Sequence, residues 1–145
     1  MKRFASLLIL ALLPGLGAGA GLLPGGNFID DDGSVHEAAI EAIRSAGITT
    51  GCDLVGDRFC PTKPVTRAEM AVFLVRALGE TTGPYQGIFS DVPSGTFYSA
   101  SVERIAGLGI TAGVGEGKYN PAGLVSRAEM AAFLIRALGE TESNL

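Results

Sequence analysis

Four stretches of this chain carry apolar residues at helical spacing, and they come in two pairs. In the first, Ser34 stands where an N-cap belongs, with Glu37 three residues on. That is a capping box, which satisfies two backbone N–H groups otherwise orphaned at a helix start. Ala39, Ile40 and Ile43 then share one face, and Gly47 offers a left-handed stop. The second stretch opens on Thr66 with Glu69 completing the box and Val65 placed to staple onto Met70. Met70, Phe73, Leu74, Ala77 and Leu78 form the stripe expected to be buried, and Gly79 ends it. The third carries Val102 and Ile105 and stops at Gly109. The fourth repeats the second, with Ser126 and Glu129 as the box, Val125 as the staple, and Met130, Phe133, Leu134, Ala137 and Leu138 as the stripe. The fold class expected is mainly α, with two helix–loop–helix units, and a circular dichroism spectrum dominated by helix.

A fifth apolar stretch has another character. Met1-Lys2-Arg3 is basic, Phe4 to Leu13 is uninterrupted, Pro14-Gly15 breaks the run, and Ala18-Gly19-Ala20 has the small-x-small pattern of a cleavage site. This is the layout of a secretory signal peptide over residues 1–20. A transmembrane helix needs about 20 apolar residues, so the mature chain is expected to have no transmembrane span. No cysteine near the cleavage region suggests a lipid anchor.

The pairing of stretches is a duplication. Val65–Thr81 recurs as Val125–Thr141 with three conservative differences; Phe28-x-Asp30 matches Phe89-x-Asp91, and Ala46–Gly51 matches Leu108–Gly113. The period is roughly sixty residues, within the range of repeat architectures. The expected boundaries are repeat 1 over 27–80, a linker over 81–87 and repeat 2 over 88–141. Turn-rich loops join the helices of each unit, Gly51 to Pro64 and Gly113 to Gly123.

Composition narrows the function classes. The chain has 11 basic and 15 acidic residues, and loss of Lys2 and Arg3 with the leader makes it more acidic still. No basic cluster remains, which argues against nucleic acid. Cys52 and Cys60 are the only cysteines, and in an exported chain the default for a pair is a disulfide. Their counterparts Val114 and Asn120 cannot bridge, so the disulfide would staple one loop only. With one histidine, His36, no zinc set can be assembled and no duplicated Ser-His-Asp site is available. No cofactor and no catalytic residues are expected.

The blocks F-x-D, an amphipathic helix, G-I-x-x-G, an aromatic-x-Pro turn (Phe59-Cys-Pro61, Tyr119-Asn-Pro121) and T/S-R-A-E-M-A-x-F-L-x-R-A-L together resemble the S-layer homology domain. The resemblance covers essentially the whole mature chain. It implies a secreted protein of the bacterial cell wall and cell surface, held non-covalently by a secondary cell-wall polysaccharide or peptidoglycan-linked glycan. It carries Asp30 and Asp91, Gly51 and Gly113, and Arg67 and Arg127 onto the glycan site. The family's tryptophan early in the first helix falls on Val35 and Phe97, and only Phe97 keeps a ring there. The family commonly works as three repeats, whereas two are legible here. Either two suffice, or chains associate into a homo-oligomer.

Arg67 and Arg127 stand at the first helical position, where the helix dipole disfavours a cation. Two readings remain. One is a bidentate clamp for a pyruvyl or uronate carboxylate. The other is an ion pair with Asp30 or Glu69 that ties loops together. On dipole grounds, replacing either arginine should leave folding nearly intact. Asp30-Asp31-Asp32 followed by Ser34, His36 and Glu41 has some spacing of a calcium loop, but Val35 stands where that loop needs glycine and repeat 2 lacks the acidic run. Metal is therefore not expected. Arg76 and Arg136 near the helix ends read as structural, where they suit the dipole, although an outward arginine could join a groove. A polysaccharide-binding module leads, and a self-associating repeat protein with a vestigial glycan pocket is the alternative, ahead of a calcium-dependent docking module.

Overall fold

A computed structural model describes residues 26–140. The expected signal peptide and Thr141 lie outside them. Within them the chain forms α1 (Glu37–Ser45), α2 (Arg67–Ala77), α3 (Ser99–Gly107) and α4 (Arg127–Ala137). The β-structure among the described residues is two isolated bridges, Thr66–Leu124 and Gly115–Lys118. The mainly helical expectation holds. Among the described residues no helix is long and apolar enough to cross a membrane.

The second helix of each repeat starts as its sequence requires. The Thr66 hydroxyl accepts the Glu69 N–H at 3.2 Å, and the Glu69 carboxylate accepts the Thr66 N–H at 2.8 Å. Ser126 and Glu129 reproduce this at 3.2 and 2.9 Å. The expected box at Ser34 does not form. A turn from the Asp31 carbonyl to the Ser34 N–H (2.9 Å) pulls Ser34 out of cap geometry, and α1 begins only after His36. Ser34 then accepts from the His36 N–H, and Glu37 from the Gly33 N–H. Ala39, expected on the buried face, is exposed, whereas Ile40 is buried.

Each first helix also carries a glutamate that ties down the segment before it. Glu41 accepts from the Asn27 and Phe28 N–H groups, and Glu103 from those of Gln86, Gly87 and Ile88. The sequence pattern marked Glu41 only as a position of a calcium loop and did not single out Glu103, although both stand in the apolar-patterned helix of their repeat.

The core does not respect the repeat boundary. Met70, Ala71, Leu74 and Val75 of α2 pack with Phe89, Val92, Val102, Ile105, Ile110, Tyr119 and Phe133 of repeat 2. α2 is thereby buried at Arg67, Ala68, Met70, Ala71, Val72, Leu74 and Val75. α4 has almost the same sequence, yet Phe133 alone is buried in it. Its stripe is not covered as expected: Leu134 is 49 % and Leu138 75 % exposed. Two near-identical helices differ because α2 has repeat 2 laid against it and α4 has no such neighbour among the described residues.

One core position breaks the symmetry. Val92 is buried apolar core in repeat 2, and the same place in repeat 1 holds Asp31, 1 % exposed, with neither carboxylate oxygen hydrogen-bonded. Burial, with Glu41 and Glu37 nearby, pushes its carboxyl above the ordinary carboxylate range.

Candidate functional site

The F-x-D aspartates organise the loops. Asp30 accepts the Phe59 N–H at 2.7 Å and the Cys60 N–H at 2.9 Å; Asp91 accepts those of Tyr119 and Asn120, both at 2.8 Å. Burial of each carboxyl opposes its charge, but the backbone donors outweigh that and hold both carboxyls below the usual range. In repeat 1 the same loop is closed by the Cys52–Cys60 disulfide, as expected. Closing so short a loop contributes about 2–3 kcal/mol in the chain-entropy model. Reduction or a double Cys→Ser change should lower the unfolding free energy by about that amount in urea titrations, with helix content kept.

Gly51 and Gly113 are where backbone freedom is needed. Their φ values are 96° and 82°, and an added Cβ would lie 2.6 Å from the Arg58 carbonyl oxygen at Gly51. At Gly113 it would collide with the Lys118 carbonyl and the Phe89 ring. These glycines let the loop cross directly over the F-x-D phenylalanine, which then meets the aromatic-x-Pro ring: Phe28 with Phe59, and Phe89 with Tyr119, each pair at 5.5 Å.

The two arginines, equivalent in sequence, part company. Arg67 is 4 % exposed and reaches into repeat 2. Its Nε donates to the Tyr119 carbonyl and its Nη1 to Glu129, each at 2.8 Å. Its guanidinium lies 4.8 Å from the Tyr119 ring centre and 5.4 Å from that of Phe133. The Tyr119 hydroxyl, pushed up to about 12 by burial, donates back to the Arg67 carbonyl. The loop of repeat 2 also caps α2, since the Arg67 N–H meets the Gly123 carbonyl and the Ala68 N–H that of Pro121. The ion pair expected with Asp30 or Glu69 is thus made with Glu129, in the other repeat. A carboxylate from outside could reach this guanidinium only by displacing Glu129. Arg127 is exposed, with no hydrogen bond, ion pair or ring contact among the described residues.

A groove of about 440 Å³ opens on repeat 1 between its loop and α2. Gly51 and the disulfide form part of its wall, Phe59, Val72 and Phe73 its apolar side, and Lys63 and Arg76 bring positive charge. Phe97, from repeat 2 and 74 % exposed, closes one edge. Of the residues expected at a glycan site, Gly51 and Phe97 therefore meet here, while Arg67, Asp91 and Gly113 do not line the groove. Arg127 lines a separate hollow of about 330 Å³ with Val125, Met130 and Leu134. Sequence reasoning missed Lys63 as a groove residue, whereas Arg76 is an outward arginine that does join the groove. Arg76 also donates to the Ile48 carbonyl at 3.1 Å, the structural task expected of it. Asp30, Cys52 and Cys60 bring metal-type ligand atoms close together, but the sulfurs are bonded to each other and Asp30 is committed to two N–H groups.

The repeated framework has known counterparts. The S-layer homology domain matches residues 29–71 and again 88–131. The chain belongs to the S-layer homology family. A "Cell surface protein" of Thermoanaerobacter kivui is 34 % identical over 74 % of this chain and 15 % of its own length. "Endo-1,4-beta-xylanase A" of Thermoanaerobacterium saccharolyticum is 36 % identical over 82 % of this chain, and "Surface layer protein" of Brevibacillus choshinensis 30 % over 71 %. The chain spans no more than 15 % of the length of these relatives, so the xylanase likeness concerns the S-layer homology part of that protein. Membership of the family puts the chain at the bacterial cell-wall surface, and S-layer homology domains are anchoring modules.

Proposed function

We propose that this protein binds cell-wall polysaccharide non-covalently, anchors itself or an assembly to the envelope, and catalyses no reaction. The groove on repeat 1 carries this reading. It combines an exposed aromatic ring, Phe97, with two cations, Lys63 and Arg76, over a wall kept open by Gly51. An acidic sugar has the matching chemistry, since its ring faces are apolar and its carboxylate suits a guanidinium. Asp30 shapes the groove by holding the loop at Phe59 and Cys60. Asp91 and Gly113 do the same for the loop of repeat 2, and Arg127 offers a third cation beside its own hollow. The alternative, a self-associating repeat protein, draws support from the bare face of α4.

Retention on purified sacculi, compared before and after extraction of the wall polymer, tests the proposal. The protein should be retained only before extraction. Phe97→Ala and Lys63→Ala should each reduce retention about tenfold, as truncating an anchor residue does. Their melting temperatures should stay unchanged, because neither side chain is buried. Equal retention by both variants and the parent would rule the groove out.

A further inference from the structure

The joint between the repeats has a donor half and a receiver half, and each half recurs once, unmated among the described residues. The donor half is the start of α2: Arg67, two cappable N–H groups, and the apolar residues Met70, Ala71, Leu74 and Val75. Its copy is the start of α4. There Arg127 is exposed and unpaired, its N–H and that of Ala128 meet no loop carbonyl, and Met130, Ala131 and Leu134 border an open hollow. The receiver half is Tyr119, Glu129 and Phe133, around the arginine. Its copy is Phe59, Glu69 and Phe73, which all face the groove on repeat 1, so a second copy seated there and a polysaccharide would compete for it. Where the receiver is filled, Tyr119 and Phe133 are 0 % and 3 % exposed; where it is open, Phe59 and Phe73 are only half-buried.

Charge and chemistry agree in detail. Glu69 uses Oε2 for its capping box, as Glu129 does, and its Oε1 meets only the exposed Lys63 at 3.4 Å. The same oxygen of Glu129 holds Arg67 at 2.8 Å. The Phe59 carbonyl, counterpart of the Tyr119 acceptor, takes no hydrogen bond among the described residues. We infer that this face is a self-association site: Arg127 of one copy enters the Phe59–Glu69–Phe73 receiver of a second copy, and the apolar face of α4 is covered in the same step. The contact is head-to-tail, so an open assembly keeps one free receiver at one end and one free donor at the other unless a ring closes. One hydrogen bond of the internal joint is missing, because Phe59 lacks the hydroxyl by which Tyr119 meets the Arg67 carbonyl. The contact should therefore be weaker than the internal joint and depend on concentration.

Sedimentation velocity of the purified protein across concentrations, with no polysaccharide present, tests this apart from the glycan proposal. The parent should form species larger than a monomer. Arg127→Glu should weaken association more than about thirtyfold, the effect of losing a desolvated charge partner. Leu134→Asp should do likewise, and both should melt as monomers do. Phe73→Arg damages the receiver but leaves the donor, so it too should be monomeric alone. Mixed with Arg127→Glu, it should restore a one-to-one complex, because each copy supplies the half the other lacks. A parent that stays monomeric at hundreds of micromolar, or association that Arg127→Glu leaves unchanged, would overturn the inference.

Discussion

Arg67→Ala should destabilise the protein by about 3–5 kcal/mol, the usual cost of breaking a buried charge pair from one side. Arg127→Ala at the same motif position should stay within about 0.5 kcal/mol for the isolated monomer, as surface changes do. The difference follows from surroundings. Removing Arg67 leaves the Tyr119 carbonyl and one Glu129 oxygen without their donor and opens a space beside the Tyr119 and Phe133 rings. Arg67→Lys keeps the charge but not the planar group that lies over those rings, so it should recover only part of the loss. Arg67→Met, which fills the space without a charge to desolvate, should do better than Ala. Urea titrations of the four variants measure this. Equal stabilities for the Arg67→Ala and Arg127→Ala chains would show that the joint contributes nothing. The helix-dipole expectation, that either arginine could be lost without harm to folding, fails for Arg67. A cation at a helix start gains nothing from its own helix, but here its partners belong to another repeat.

Asp31→Val should stabilise the protein by about 3 kcal/mol at pH 7, since an ionised carboxylate buried without partners costs several kcal/mol. Valine is what repeat 2 already holds at the matching place, where Val92 is 1 % exposed. The pH dependence carries a sign. The folded-state pKa of Asp31 is raised, so its stabilising contribution is fully present below the unfolded value of about 3.9 and is lost as pH rises through the folded pKa. The advantage of Asp31→Val over the parent should therefore be small in acid, grow as pH rises, and level off once Asp31 is ionised. Asp30 and Asp91 act oppositely. Their lowered values give stability that is present above about 3.9 and lost as pH falls through the folded pKa. Thermal melts of parent and Asp31→Val from pH 3 to 8 read both effects. A constant difference between the two chains across that range would count against an ionising buried Asp31.

Local chemistry was legible in the sequence wherever its partners lie close along the chain. The boxes at Thr66 and Ser126 formed because cap and glutamate are three residues apart. The Cys52–Cys60 bridge and the stops at Gly47 and Gly109 were legible for the same reason. Ser34 failed as a cap because Asp31 offered a competing turn, a choice that spacing alone does not rank. The F-x-D aspartates were marked as site residues, but their bonds to the aromatic-x-Pro loop span about thirty residues, beyond any local pattern. Repetition itself hid the rest. Met70 and Met130, or Leu74 and Leu134, are identical in sequence and differ in burial, because burial is set by what lies alongside. The destination of Arg67 was hidden in the same way.

That the core straddles the boundary also bears on how such a chain came to be and can be divided. The linker over 81–87 separates the copies that duplication produced, and it looks like the natural place to cut. A cut there would strand α2, with its buried face and its arginine, on one fragment and most partners of that face on the other. The unit that was inherited twice is thus not the unit that folds. What cooperates is the end of one copy with the whole of the next, offset from the genetic repeat by half a period. Shortening such an array by one copy removes a joint along with a module, whereas lengthening it by one creates a joint on a surface that was already waiting.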